Sequence, residues 1–510
     1  MKTRYFKYVY ILLIVLILFI VGSYAFFSWG SNANSNTNVS FDVVAETVYI
    51  EYDAGSDITG ANLYPVDDKS DGISKTITVK TDKVVQSKPV TFNLYLDLTS
   101  VPTALLHSSF KWAVYTGNNL VSSGNLTDST VSCNKNSAVN HIVLFSNEKV
   151  TTTEKKYVLY LWIDGTVNNP DDMMNKSFEF NLHADGNNAL LKSATNILTK
   201  KYENGNKTSI TTAGGEEITQ VVSEGLMQDS FGNIRYYGAN PNNYVTFNGE
   251  SAGWRIIGIF DTEDENGNVS KRVKLIRATS IGSYSYDNKP SGTGTSSSEY
   301  GSNDWTDARL MMLLNPGYET TSSLYAYEGS LYWNRKSGTC YAGSSSGTTS
   351  CDFTSTGLTS QAKSQIDKVK YYLGGSPTDQ GLYADDYYNF ERGTKVYSGH
   401  QTTWNGYIGI MYPSDYAYAA DLSVCTKDGY NYADTNCKNK DWLLDTSTWT
   451  WSLSPNSALA YGAFGAATSG TVYYSTYVSY ARGVRPVAYL KSNLQIVNGT
   501  GTQSAPYIIG

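Results

Sequence analysis

The sequence predicts a β-rich protein in three parts: one N-terminal transmembrane helix, an all-β antiparallel sandwich, and an α+β domain with long irregular loops. Three observations carry this. Residues 8–27 form an uncharged apolar run behind Lys2, Arg4 and Lys7. Residues 39–186 alternate apolar and polar side chains in short runs split by turn signals. The remainder combines two helix signals with Gly, Ser and Thr loops and many aromatic residues. Of 510 residues, 42 are Tyr and 44 are Gly, and only 17% are charged, which suits extracellular β-structure better than a helical cytosolic enzyme. The net charge of -7 argues against a nucleic-acid partner.

Residues 1–29 read as a cytoplasmic stub with a membrane anchor. At about 1.5 Å per residue the apolar run spans about 30 Å, the thickness of the hydrocarbon layer. The flanking cations stay inside, which puts the bulk of the chain outside the cell as a single-pass membrane protein. The alternative is a signal segment cleaved after Ala25, where Ser23-Tyr24-Ala25 supplies small residues at a suitable spacing, and the chain is then secreted. Residues 30–38, rich in Ser and Asn, form a spacer.

In the sandwich, 90–98 places Val90, Phe92, Leu94, Leu96 and Leu98 on one face, and 110–115 places Phe110, Trp112 and Val114 on one face. The run 157–163 is apolar on both faces and is expected to be a central strand. Short strands at this spacing predict an Ig-like or jelly-roll arrangement. A membrane segment ending in Tyr24-Ala-Phe-Phe-Ser28, followed directly by such a sandwich, resembles the biofilm-matrix fibre and camelysin group of bacterial surface proteins. Residues 187–225 read as a linker with a short helix, broken at Asn204-Gly-Asn206 and Gly214-Gly215.

The last domain covers 226–510. Its runs 254–260 and 272–277 predict a hairpin around an acidic loop at 261–270. That loop misses the calcium-binding pattern, with Thr262 where an Asp belongs and Val273 where a Glu belongs, and reads as an exposed hairpin tip. A capped amphipathic helix is expected over 303–314, and a second over 361–373 behind Thr359 or Ser360. Of five cysteines, four fall in two local pairs, favouring disulfides Cys340–Cys351 and Cys425–Cys437. A four-cysteine metal site is the competing reading, disfavoured because no pair has the short zinc spacing. Cys133 is left as a free or buried thiol.

The order Trp254-Arg-Ile-Ile-Gly, Asp304-Trp305, Trp404-Asn-Gly-Tyr-Ile-Gly-Ile-Met-Tyr-Pro-Ser-Asp415, Trp451-Ser-Leu-Ser-Pro455 and Gly483-Val-Arg-Pro-Val487 resembles an uncharacterised set of bacterial surface domains. These are related to the C-type-lectin-like fold and to formylglycine-generating enzymes. The resemblance implies a C-type-lectin-like domain over 226–510, closed by a late strand at 485–490 and a hairpin arm at 501–509. The reactive cysteine pair of the enzymatic relatives has no counterpart, since no cysteine follows Cys437. The calcium-dependent sugar-binding tripeptides of true lectins are also missing.

No residue reads as catalytic, and no metal or cofactor is implied. Among four histidines only His400 falls in the last domain, too few for a Ser-His-Asp triad with a spare ligand. Asp385-Asp386 beside Tyr387-Tyr388 could in principle hydrolyse glycosides, but reads more readily as a solvated loop. The aromatic inventory remains. Tyr473, Tyr474 and Tyr477, with Trp404 and Trp449, are the candidate ligand-binding residues, because Tyr and Trp on Gly/Ser-rich segments make contact surfaces at low entropy cost. Trp451 and Tyr412 are expected in the core. The leading expectation is a surface protein that binds a glycan or protein ligand. The alternative is a structural matrix-fibre subunit, and an unrecognised enzyme comes third.

Overall fold

The computed structural model describes residues 48–509 except 55–62, 84–88, 128–130, 133–139, 167–172, 174–175, 177, 291–299, 321–328 and 345. The anchor segment, the spacer and Cys133 lie outside the described residues. Among those described, no helix is long and apolar enough to cross a membrane.

The chain is mostly β-sheet with few helices. Its first body is two sheets around one core. The larger sheet runs, in spatial order, Leu190–Leu191, Tyr49–Asp53, Ile73–Thr81, Lys155–Asp164, Phe110–Thr116 and Asn119–Asn125. The smaller runs Glu179–Asn187, Val90–Ser100, Asn140–Val150 and Val131–Ser132. Alternation does the work here: Val90, Phe92, Leu94 and Leu96 turn inward, as do Phe110, Trp112 and Val114. Rings close the gap between sheets, with Phe145 and Tyr157 centroids 4.8 Å apart and Tyr52 and Phe92 5.7 Å apart. The strand Lys155–Asp164 is central, as its hydrophobicity implied.

The second body has its own core. An eleven-stranded sheet centres on the long hairpin Glu250–Glu263 and Val269–Arg277, whose tip is the acidic loop. Within that loop Asp264 accepts from Asn266 and Asn268 backbone N–H groups at 2.8 and 2.9 Å, so its carboxylate serves the turn. The strand Pro486–Tyr489 pairs with Val269–Arg277 and with Ile408–Ile410. The closing hairpin is Ile496–Asn498 with Tyr507–Ile509, and its last strand lies parallel to Tyr244–Phe247. A five-stranded sheet runs Ser283–Ser285, Ala481–Gly483, Thr450–Pro455, Gly462–Ala466 and Val472–Tyr477. Both expected disulfides, Cys340–Cys351 and Cys425–Cys437, are formed.

Three local expectations change. Residues 187–225 contain the short helix, Ala194–Asn204, but Ala194, Leu198 and Tyr202 are buried in the second core, and Thr208–Thr211 and Glu217–Val221 start its large sheet. The expected helix over 361–373 is Ser360–Gln365, capped by Thr359, followed by a strand Val369–Tyr372 in which Val369 and Tyr371 alternate inward. The expected helix over 303–314 is a 3-10 turn capped by Asp304, then Arg309–Leu314, which is buried on every side rather than amphipathic.

Candidate functional site

Four of the five aromatic residues singled out from sequence, Tyr473, Tyr474, Tyr477 and Trp449, sit on and around the outer strand of the five-stranded sheet. Beneath them, Thr450–Pro455 and Gly462–Ala466 are fully buried. The Gly/Ala composition of the second strand is a packing requirement rather than a sign of flexibility: a Cβ on Gly465 would stand 2.8 Å from the Thr450 carbonyl oxygen. The outer strand Val472–Tyr477 is bulged. Tyr473 pairs with Gly465 and Thr476 with Ala463, leaving Tyr474 and Ser475 opposite the single residue Phe464. A bulge re-aims side chains that would otherwise alternate. Tyr473 and Tyr474 accordingly lie nearly parallel, 22° apart, with centroids 6.1 Å apart.

From this pair a row of half-buried rings extends both ways. Tyr473 touches Tyr430 at 6.0 Å and meets Trp449 edge-on at 6.2 Å. Arg482 lies over Trp449 at 4.7 Å and over Tyr480 at 5.4 Å. Tyr480 meets Tyr477 edge-on at 5.3 Å, and Tyr477 packs on Tyr461 at 5.6 Å. Burial lowers the Arg482 pKa from its usual value, partly offset by Tyr480. Its Nε is buried with no acceptor among the described residues. Beside Tyr474, whose N–H donates to Asp379 at 3.5 Å, burial raises the pKa of the Asp379 carboxyl.

Trp404 stands apart. It lies on the strand Thr403–Gly406, with its ring 6.0 Å from Trp305 and 5.4 Å from Tyr371, half-buried against the core. Trp451 is fully buried, donating from Nε1 to the Tyr284 carbonyl at 2.9 Å, and Tyr412 is buried too.

Asp385 and Asp386 open the helix Ala384–Arg392 rather than a loop, and Asp386 accepts from the Tyr383 backbone N–H at 3.0 Å. His400 Nε2 stands 3.4 Å from Ser302 Oγ, but its Nδ1 is buried without a hydrogen-bond partner. The nearby Asp304 carboxylate instead accepts from Thr306 and Gln401 backbone N–H groups, so among the described residues no carboxylate orients the imidazole as a triad needs. Among the described residues no three His, Cys, Asp or Glu side chains gather as a metal would require.

One surface escaped the sequence reading. On the outer face of the sandwich, a groove of about 470 Å³ is lined by Tyr115, Trp162, Lys69, Lys111 and Asp164 around the small Ala113. The Lys69 ammonium sits over Tyr115 at 4.8 Å and Tyr160 at 5.6 Å, and Lys111 pairs with Asp164 at 3.3 Å. Hydrogen bonds from Thr166 hold the Asp164 carboxyl below the usual range. The signal was present in the alternation of Tyr160 and Trp162 with the buried Leu159, Leu161 and Ile163. Compared with family models and with curated proteins, the chain matches none.

Proposed function

We propose that the chain is a membrane-anchored extracellular surface protein whose second body, C-type-lectin-like in fold, binds a surface glycan or protein through the Tyr473–Trp449 aromatic row. One observation carries this reading: half-buried rings flank the Arg482 guanidinium. Rings stack on sugar faces or on partner side chains, and the charge supplies direction. Two short-loop disulfides suit an oxidising compartment. The lectin-like part is supported by the closing hairpin, whose last strand returns beside Tyr244–Phe247, early in the same body. The groove on the sandwich adds a second aromatic surface on the same chain. No catalytic role forms part of this proposal.

The test is a glycan and protein array probed with the ectodomain from residue 30 onward, beside its Trp449→Ala and Tyr473→Ala variants. The proposal expects a defined set of binders and at least a tenfold loss in each variant. Binding that both variants retain in full refutes the assignment of the face. Protease treatment of intact cells should also remove a C-terminal epitope.

A second reading, the matrix-fibre subunit, draws on the edges of the sandwich. Asn119–Asn125 and Glu179–Asn187 end their sheets, and a partner strand could be added there. Purified ectodomain that stays monomeric across concentration would remove it.

A further inference from the structure

The second body buries charges that a binding role does not use. Lys274 lies mid-strand in Val269–Arg277, opposite Gly258 on one side and Tyr489 on the other. Its side chain is 1% exposed, and its amino group lies over the rings of Tyr412, Phe260 and Tyr489 at 4.4, 5.3 and 5.4 Å. Its Nζ stands 2.5 Å from Asp415 Oδ2, and Asp415 is equally buried. That carboxylate faces a further group at each oxygen. The Tyr412 backbone N–H donates to Oδ2 at 2.8 Å, while Arg235 Nη1 stands 3.6 Å from Oδ1. Arg235 is bonded through Nε to Asp229 at 2.7 Å, and its two terminal nitrogens find no hydrogen-bond acceptor among the described residues.

We propose that Lys274 and Asp415 are joined, once the body has folded, by an intramolecular amide bond between Nζ and Cγ. The condensation balances without a co-reactant. Nζ forms a bond to Cγ, the Cγ–Oδ2 bond breaks, and the ammonium gives up two of its three protons, which leave with that oxygen as water. The ammonium and the carboxylate vanish together, so the buried charge stays balanced, with Arg235 still facing Asp229.

The surroundings favour the step at each stage. Burial lowers the Lys274 pKa to about 8, with Asp415 opposing, so a usable fraction is the free amine, the nucleophilic form. The existing hydrogen bond from Nζ to Oδ2 is the path for the first proton. As Cγ becomes tetrahedral, charge gathers on Oδ1, where Arg235 waits with unused donors. Each side chain is only 1% exposed, so once the released water has diffused out little bulk water reaches the bond to reverse it, and the ions it replaces were poorly solvated. Glu391 acts as a positioning residue. It is fully buried, and its two carboxyl oxygens accept from Ser414 N–H at 2.8 Å and Ser414 Oγ at 2.6 Å, fixing the residue next to Asp415.

The helix bearing Asp415, Pro413–Ala417, packs on Gly462–Ala466 and Thr450–Pro455. The bond would therefore tie the central sheet to the strands beneath the aromatic row, across 141 residues of sequence.

Intact-mass spectrometry of the oxidised ectodomain is the test. The expected result is a species lighter by one water than the sequence with its disulfides, and a branched peptide joining Lys274 to Asp415 that survives reduction. Lys274→Arg, which keeps a cation but not a primary amine, should restore the full mass. A wild-type chain at full mass overturns the proposal whether or not the variants fold. A water loss that persists in Lys274→Arg overturns it equally, because the loss then arises elsewhere. Glu391→Gln should slow the appearance of the lighter species several-fold during refolding, and unchanged kinetics would remove its positioning role.

Discussion

Trp449 and Trp451 are two residues apart, yet their truncation should have opposite consequences. Trp451 is fully buried, with its ring 5.7 Å from Tyr286 and its indole N–H on the Tyr284 carbonyl. Trp451→Ala removes that burial, opens a cavity and strands the carbonyl, a loss of about 3–5 kcal/mol. At 1.4 kcal/mol per factor of ten, the folding constant of the second body falls on the order of a thousandfold. Trp449 precedes the buried strand and is half-exposed. Its removal forfeits an edge contact with Tyr473 and the guanidinium of Arg482, about 1–2.5 kcal/mol together. Urea unfolding of the chain from residue 30 onward, followed by near-ultraviolet circular dichroism, separates the two. The transition of the second body should shift markedly for Trp451→Ala and modestly for Trp449→Ala, and Trp449→Ala should lose ligand while still folded. If Trp449→Ala unfolds the body and Trp451→Ala leaves its midpoint in place, core and face have been assigned the wrong way round.

Other outcomes follow from single features. Burial lifts Glu391 from its usual 4.5 to about 7, so the folded state holds its proton more tightly than the unfolded chain. Its contribution is complete below about pH 4.5 and is lost as pH rises through about 7. The melting temperature of wild type should fall relative to that of Glu391→Gln from pH 5 to pH 7, and a constant difference would refute the linkage. Gly465→Ala should lower stability by about 1–3 kcal/mol, because its Cβ collides with backbone at Thr450, and a neutral effect in thermal melts would show that the strands can part. Replacing Cys340 and Cys351 together by Ser should cost about 3 kcal/mol in the chain-entropy account. Non-reduced peptide mapping of the wild type should show only the two local pairs.

The sandwich strands were legible because one residue in two points inward, and Val90, Phe92, Leu94 and Leu96 carry that rule in plain sequence. The disulfides were legible because each closes a short local loop. Gly462–Ala466 was not legible as a strand: its small residues answer to the close approach of Thr450 and Tyr473, and such an approach leaves no periodicity. Val369–Tyr372 looked helical beside Ser360–Gln365 until its pairing with Thr403–Gly406 is known. The aromatic row shares this dependence, since a bulge in one strand brings Tyr473 and Tyr474 to one side and long-range packing brings Trp449 and Tyr430 to them. Buried charges hide best of all. Lys274 resembles a surface residue in sequence, and its partner Asp415 lies 141 residues along the chain.

The chain enters the sandwich at Tyr49 and leaves it at Leu191 on neighbouring parallel strands, with Tyr49 beside Leu190 and Ile50 beside Leu191. Backbone bonds from Leu190 to Val48 and from Lys192 to Ile50, and the ion pair of Lys192 with Glu51 at 2.6 Å, stitch the two together. The exit continues directly into the second body, where the Ala194 N–H donates to the Leu494 carbonyl at 2.7 Å. Tension applied at residue 48 and at the second body would therefore pull these strands lengthwise past each other. Their bonds would be loaded together, in shear, instead of opening one at a time like a zipper. Single-molecule pulling from residue 48 and from the second body should show a higher rupture force than pulling that peels the strand Glu179–Asn187 from its sheet edge.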